Sequence, residues 1–129
     1  MRQTAQRFAP AVLSIVRIMV SLLLLQHALS KFFGFPMAMR TPPLFSLYWF
    51  AGAIELVGGA LLLIGQFTRP VAFILSGHLA FAYFIGHAPK GFYPLTNGGE
   101  AAVLFCFIFL YIACAGGGPI GIDAMRGRK

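Results

Sequence analysis

Glu55 stands in the middle of a long apolar run, and Arg17, His27, His78 and Glu100 are embedded in runs of the same kind. Lys31 and His87 lie near the ends of two of these runs. An ionisable group near the centre of a bilayer costs roughly 2.5–3.5 kcal/mol on insertion scales. Such groups persist where they pair with one another, carry protons or meet a ligand. A glutamate in that setting must be protonated or held by a cation, and Arg17 is the cation expected to hold Glu55. Glu55, Glu100 and His27 are suited to exchanging protons with a bound small molecule. The competing expectation is that Glu55 and Arg17 only clamp two helices together.

The elements that must position these groups follow from composition. The chain has 129 residues, of which 59% are hydrophobic and 10% charged, against roughly 45–50% and 25% in soluble domains. A water-soluble fold of this length could not bury so much apolar surface. Four apolar runs, 11–33, 44–66, 70–88 and 99–116, account for most of the sequence. Each has about 18–23 residues, enough to cross a hydrocarbon core as a helix. The runs are continuous rather than alternating, so helices rather than barrel strands satisfy their backbone. The expected fold is an all-α integral membrane protein, a four-helix bundle forming a single membrane domain over 1–129. Pro70 is expected at the first helical position, and the tight connection at 66–70 makes the second and third helices antiparallel neighbours.

Orientation follows from the positive charges. With the N-terminus inside, the cytoplasmic side holds Arg2, Arg7, Arg69, Arg126, Arg128 and Lys129, and the outer side Lys31, Arg40 and Lys90. Both termini are therefore expected in the cytoplasm. Tyr48, Trp49 and Tyr93 fit an interfacial aromatic belt. The first run resembles a signal peptide, with Ala28 and Ser30 near a plausible cleavage point. Arg17 interrupts the approach to that run, so the helix is expected to be retained. The net charge of +7 forms no basic stripe interleaved with aromatics; it points to an anionic leaflet and not to nucleic acid.

Helical rise from the cytoplasmic ends of the runs puts Arg17 about 9 Å deep, His78 about 12 Å and Glu55 about 16 Å. His27, His87 and Glu100 come out at about 24 Å, with Lys31 one turn above His27. This arithmetic gives a central layer of Arg17, Glu55 and His78 and an outer layer of His27, Lys31, His87 and Glu100. Together they would line a polar cleft opening outward. Gly52 and Gly59 share a face with Glu55, and Gly58 lies beside it, so a neighbouring helix can approach closely there. His27 and His87 at matching depth admit a haem reading. His78 and His87 lie on opposite sides of an ideal helix, and a hydrogen-bonded histidine is the commoner state, so no haem is expected. Cys106 and Cys114 lie about 12 Å apart along one helix; they cannot pair, and no metal site is expected. Lys90, Tyr93 and Asn97 in the outer loop could meet a headgroup or a quinone carbonyl.

Arg17, H-A-L-S-K at 27–31 and A-G-A-I-E-L-V-G-G-A-L-L-L-I-G-Q-F-T-R at 51–69 resemble the DoxX family of small bacterial membrane proteins. His87, N-G-G-E at 97–100 and G-G-G-P-I-G-I-D ending at Asp123 agree with that resemblance. Ala28 replaces the glycine usual after the histidine, and Gly121 stands where serine is common. Arg17, His27, Lys31, Glu55, Arg69, His87, Glu100 and Asp123 match the family pattern. The resemblance implies a bacterial inner-membrane location and association with membrane oxidoreductase complexes linked to quinone, thiol or oxidative-stress chemistry.

Three functions are then expected in order. The first is a redox-associated subunit whose cleft binds a quinone or a comparable small ligand. Electrons would come from an oxidoreductase partner, because the chain has no flavin, nicotinamide or iron–sulfur motif and no intrinsic cofactor is expected. The second is a non-catalytic accessory or anchoring subunit. The third is a small transporter, which would require a homo-oligomer.

Overall fold

The computed structural model describes residues 1–127. Arg128 and Lys129, which entered the charge reading, lie outside the described residues. The described residues form helices and connecting loops, with no strand among them. The elements are α1 (Arg2–Phe33), α2 (Leu47–Ile64), α3 (Thr68–Gly86), α4 (Pro94–Asn97), α5 (Glu100–Ala115) and α6 (Ile122–Met125). A short 3₁₀ turn, Ala88–Lys90, precedes α4.

Local chemistry sets the ends of these helices. Gly34 closes α1 and Gly65 closes α2 in the left-handed conformation, at φ 68° and 71°, which glycine adopts without a Cβ penalty. Ser46 caps α2 by accepting a hydrogen bond from the Trp49 backbone N–H. Pro70 lies at the third position of α3 rather than the first, because Thr68 and Arg69 are already helical. It still falls in the first turn, where the backbone N–H has no intrahelical partner.

Helices α1 and α2 pack as one pair and α3 and α5 as another; the α2–α3 seam between the pairs is more loosely packed. Glycines permit the close approaches. A Cβ at Gly52 would lie 2.9 Å from the Phe32 ring, at Gly59 3.0 Å from Leu25, and at Gly58 2.9 Å from Leu75. Between the helices sits a core of Val20, Leu24, Leu62, Leu75, Leu79, Phe105, Phe109 and Ile112. The outer faces are equally apolar: Val57, Phe73, Ile74, Phe81, Phe107 and Tyr111 are all exposed. Such a surface is matched to lipid, where packing rather than water exclusion drives helix association. Helices α1, α2 and α3 are long and apolar enough to cross a membrane. With 16 residues, α5 is shorter, about 24 Å by its rise.

The depth arithmetic is corrected by the register of α1 against α2. Gly59 faces Ser21 and Leu25, and Gly52 faces Lys31 and Phe32. Continuing that register brings Arg17 level with Gly65, at the α2–α3 turn and not in a central layer. The cause is the start of α1, which begins at Arg2, well before its apolar run, and overhangs the bundle. Ser14 is its first buried residue.

Candidate functional site

The carboxylate of Glu55 is held from two sides. Lys31 Nζ donates to Oε2 at 3.1 Å, and His78 Nε2 lies 3.1 Å from Oε1. The three groups come from α1, α2 and α3, and Glu55 is buried. Lys31 reaches it because a helical side chain leans back toward its own N-terminus. Its long stem runs past Gly52, whose missing Cβ leaves room for the chain. The expected pairing of Glu55 with Arg17 is therefore replaced by a pairing with Lys31 and His78. The expected split into two layers fails for the same reason, since the lysine assigned to the outer layer bonds to the glutamate assigned to the central one.

Above this triad opens a cavity of about 480 Å³, of the size that holds small molecules. Its walls are mostly apolar, and its polar lining comes from His27, Lys31, Tyr48, Glu55, His78 and His87. His78 and His87 thus face the same space, which the ideal-helix argument excluded. The helix ends at Gly86, and His87 departs from helical geometry at φ −120° and ψ −49°. His87 Nδ1 lies 3.2 Å from the Asn97 carbonyl. A carbonyl only accepts, so that nitrogen carries the hydrogen. His27 borders the cavity against the edge of the Phe105 ring, at a centroid distance of 6.3 Å. Glu100 lies exposed in the first turn of α5 and does not line the cavity. A carboxylate there favours the positive end of the helix dipole.

Arg17 belongs to a second polar cluster at the opposite end of the bundle. Its side chain is buried, and Nη1 donates to the Gly117 carbonyl at 2.5 Å. Ser14 donates to the same carbonyl at 2.9 Å and accepts from the Ile120 N–H at 3.1 Å. Gly65, Gly117 and Gly121 wall in the guanidinium: a Cβ at any of them would approach Nη1 within 2.9–3.1 Å. The Asp123 carboxylate lies within electrostatic reach of Arg17. Asp123 also accepts from the backbone N–H groups of Phe67 at 3.0 Å and Thr68 at 2.7 Å. It therefore caps α3, a role usually filled by the residue just before the helix. Phe67 holds that position in a left-handed conformation with no capping side chain of its own. Arg69 donates to the Cys114 and Ala113 carbonyls at the end of α5, and Cys114 and Cys106 are both free thiols.

The sequence named Asp123 and Asn97 without revealing what either of them holds. The capping work of Asp123 depends on a contact between distant parts of the chain, which no local pattern reveals. Asn97 is buried and organises the outer loop. Its Nδ2 donates to Tyr83 Oη at 3.1 Å and to the Gly91 carbonyl at 2.9 Å, and its Oδ1 accepts from the Gly99 N–H at 2.8 Å. An asparagine followed by two glycines was the available signal for that turn.

Comparison with known proteins bears on the whole chain. The sequence model of the DoxX family matches residues 12–88. An uncharacterized protein of Haemophilus influenzae is 40% identical in an alignment of 127 positions covering 92% of each chain. No solved structure matches the chain.

Proposed function

The chain belongs to the DoxX family of membrane proteins, and on that premise we propose that it is the ligand-binding membrane subunit of a redox complex. The ligand is a quinone or a small molecule of similar polarity, seated in the cavity above Glu55. The observation that carries this reading is the triad itself: three convergent polar groups at the floor of a mostly apolar chamber. Lys31 donates to a carbonyl oxygen placed above it, while His78 and Glu55 form a path along which a proton can move. Reduction of a quinone to its quinol consumes two electrons and two protons. The electrons come from an oxidoreductase partner, and the protons pass one at a time through the His78–Glu55 pair. In this reading α1, α2, α3 and the shorter α5 all cross the inner membrane, and both termini are cytoplasmic.

The accessory-subunit reading has its own support in Arg17. That buried charge fastens the tail to the bundle through the Gly117 carbonyl and lies within reach of Asp123, as a purely structural charge would.

Purification in native nanodiscs, with mass spectrometry of bound proteins and small molecules, separates the two. A stoichiometric quinone that is retained by the wild type and lost in Glu55→Gln, with equal protein yield, is the expected result. A partner protein with no small molecule in either sample overturns ligand binding and leaves the accessory role. A homo-oligomer that carries only phospholipid overturns the redox assignment.

A further inference from the structure

The cavity follows the seam between α2 and α3. These helices touch near their connecting turn, where Gly58 meets Leu75, and next at the Glu55–His78 contact. Beyond that contact, residues of both helices line the cavity as far as Leu47 on α2 and Gly86 on α3. By helical rise this open stretch of seam runs about 12 Å from Glu55 to Leu47. Its rim is formed by Phe50 and Ile54 on α2 and by Phe81 and Ile85 on α3, all lining the cavity and all exposed on the apolar outer face. The opposite seam, between α1 and α5, presents His27 and the small Ala101 instead.

We infer that the ligand enters the cavity sideways from the bilayer and leaves its single hydrocarbon tail in the α2–α3 seam, between Phe50 and Ile54 on one side and Phe81 and Ile85 on the other. This assignment rests on the ligand-binding reading above and adds to it the route and the ligand's shape. The polar floor and apolar rim fit a molecule whose head faces the triad and whose tail points toward lipid. The Lys31 ammonium and the Glu55 carboxylate cancel in charge, so an uncharged oxygen-bearing head fits best. An anionic head would meet the carboxylate in a medium of low dielectric, where like charges repel strongly. A tail left in the seam would touch side chains that already face lipid, so its burial demands no polar desolvation.

The probe is a ubiquinone analogue with a ten-carbon tail ending in a diazirine, photolysed with the full-length protein in nanodiscs. Adducts are mapped by mass spectrometry with and without excess unlabelled decylubiquinone. Competable adducts centred on 50–54 and 81–85 are expected. Competable adducts on His27, Ala101 or the outer loops overturn the seam while leaving the cavity reading intact. Absence of competable labelling overturns both. Three substitutions sharpen the map. Ala82→Trp, which fills the seam, should lower competable labelling about tenfold, whereas Leu104→Trp, on the exposed face of α5 and outside the cavity lining, should change it less than about twofold. Gly86→Leu gives the same test from a position where a Cβ meets nothing within 4 Å, and equal protein yield confirms that it folds. Labelling that is unchanged in both the Ala82 and the Gly86 variants overturns the seam. A fatty carboxylate with the same tail should compete about tenfold less well than decylubiquinone; equal competition overturns the neutral-head assignment.

Discussion

The two ends of this bundle use buried charge in opposite ways. Where the tail meets the α2–α3 turn, Arg17 is enclosed by glycines so tightly that a single added methyl would collide with it. At the other end, Lys31, Glu55 and His78 satisfy one another beneath a chamber of about 480 Å³. Both clusters bring cationic and anionic groups together away from bulk water, yet only the second leaves space beside them. Buried charge in a membrane bundle is therefore no sign of a binding site by itself; unfilled volume next to it is what separates a reactive group from a fastening. The contrast is open to mutation, and the two ends should respond differently.

The largest effect is expected from Arg17→Gln, which removes one partner of a buried charged cluster and should cost about 3–5 kcal/mol. Reversible unfolding in mixed micelles would read this; a loss below ~1 kcal/mol would remove the lock from the argument. Arg17→Lys should not restore stability, because an ammonium lacks the planar fork of donors. Gly118→Ala comes next, at about 2–4 kcal/mol. Gly118 has φ +80°, and a Cβ there would fall 2.2 Å from Ser14 Oγ and 2.7 Å from the Pro10 carbonyl oxygen. Thermal aggregation of the detergent-solubilised protein should show the change as an earlier onset.

Asp123→Ala should cost about 1–2 kcal/mol by uncapping α3, and hydrogen exchange should rise first at the Phe67 and Thr68 amides. Protection unchanged at those amides would contradict the capping role. At the cavity end, Glu55→Gln should cost only about 1 kcal/mol, because Lys31 can turn its ammonium toward the open chamber. The same variant should nevertheless abolish competable photolabelling. The smallest effect is expected for Gly86→Leu, within about 0.5 kcal/mol of wild type, with ligand capacity reduced. If Glu55→Gln proved as destabilising as Arg17→Gln, the two ends would be alike and the distinction would fail.

The sequence made the helices legible because their apolar runs are long and broken by Gly34, the Pro42–Pro43 pair and the Gly116–Gly118 stretch. It also picked out Glu55, Lys31 and His78, since few charges stand inside such runs. The partners of those charges were not legible. Counting residues from the ends of the apolar runs assumed that every helix starts at the membrane surface, and α1 starts earlier. The true register comes from which glycine meets which side chain, as Gly52 meets Phe32 and Gly59 meets Leu25. A lysine side chain also spans more than a helical turn, so its Cα does not locate its charge. His87 was placed on the wrong side because α3 stops one residue before it. The 50–54 and 81–85 rim consists of ordinary apolar residues, and nothing in their identity marks them apart from those that face lipid elsewhere.

The cap that Asp123 places on α3 has a consequence for how the protein is made. Helix α3 is synthesised long before its capping carboxylate, so the nascent α2–α3 hairpin enters the membrane with two amides at the start of α3 still waiting for it. Until the ribosome has delivered Asp123, the hairpin and the α1 cation are free to sample other arrangements. The join between α1 and the α2–α3 turn is thus closed by a segment translated after all the long helices. A ribosome stalled just short of that residue should hold a chain whose long helices are inserted and whose first and last parts have not yet been joined.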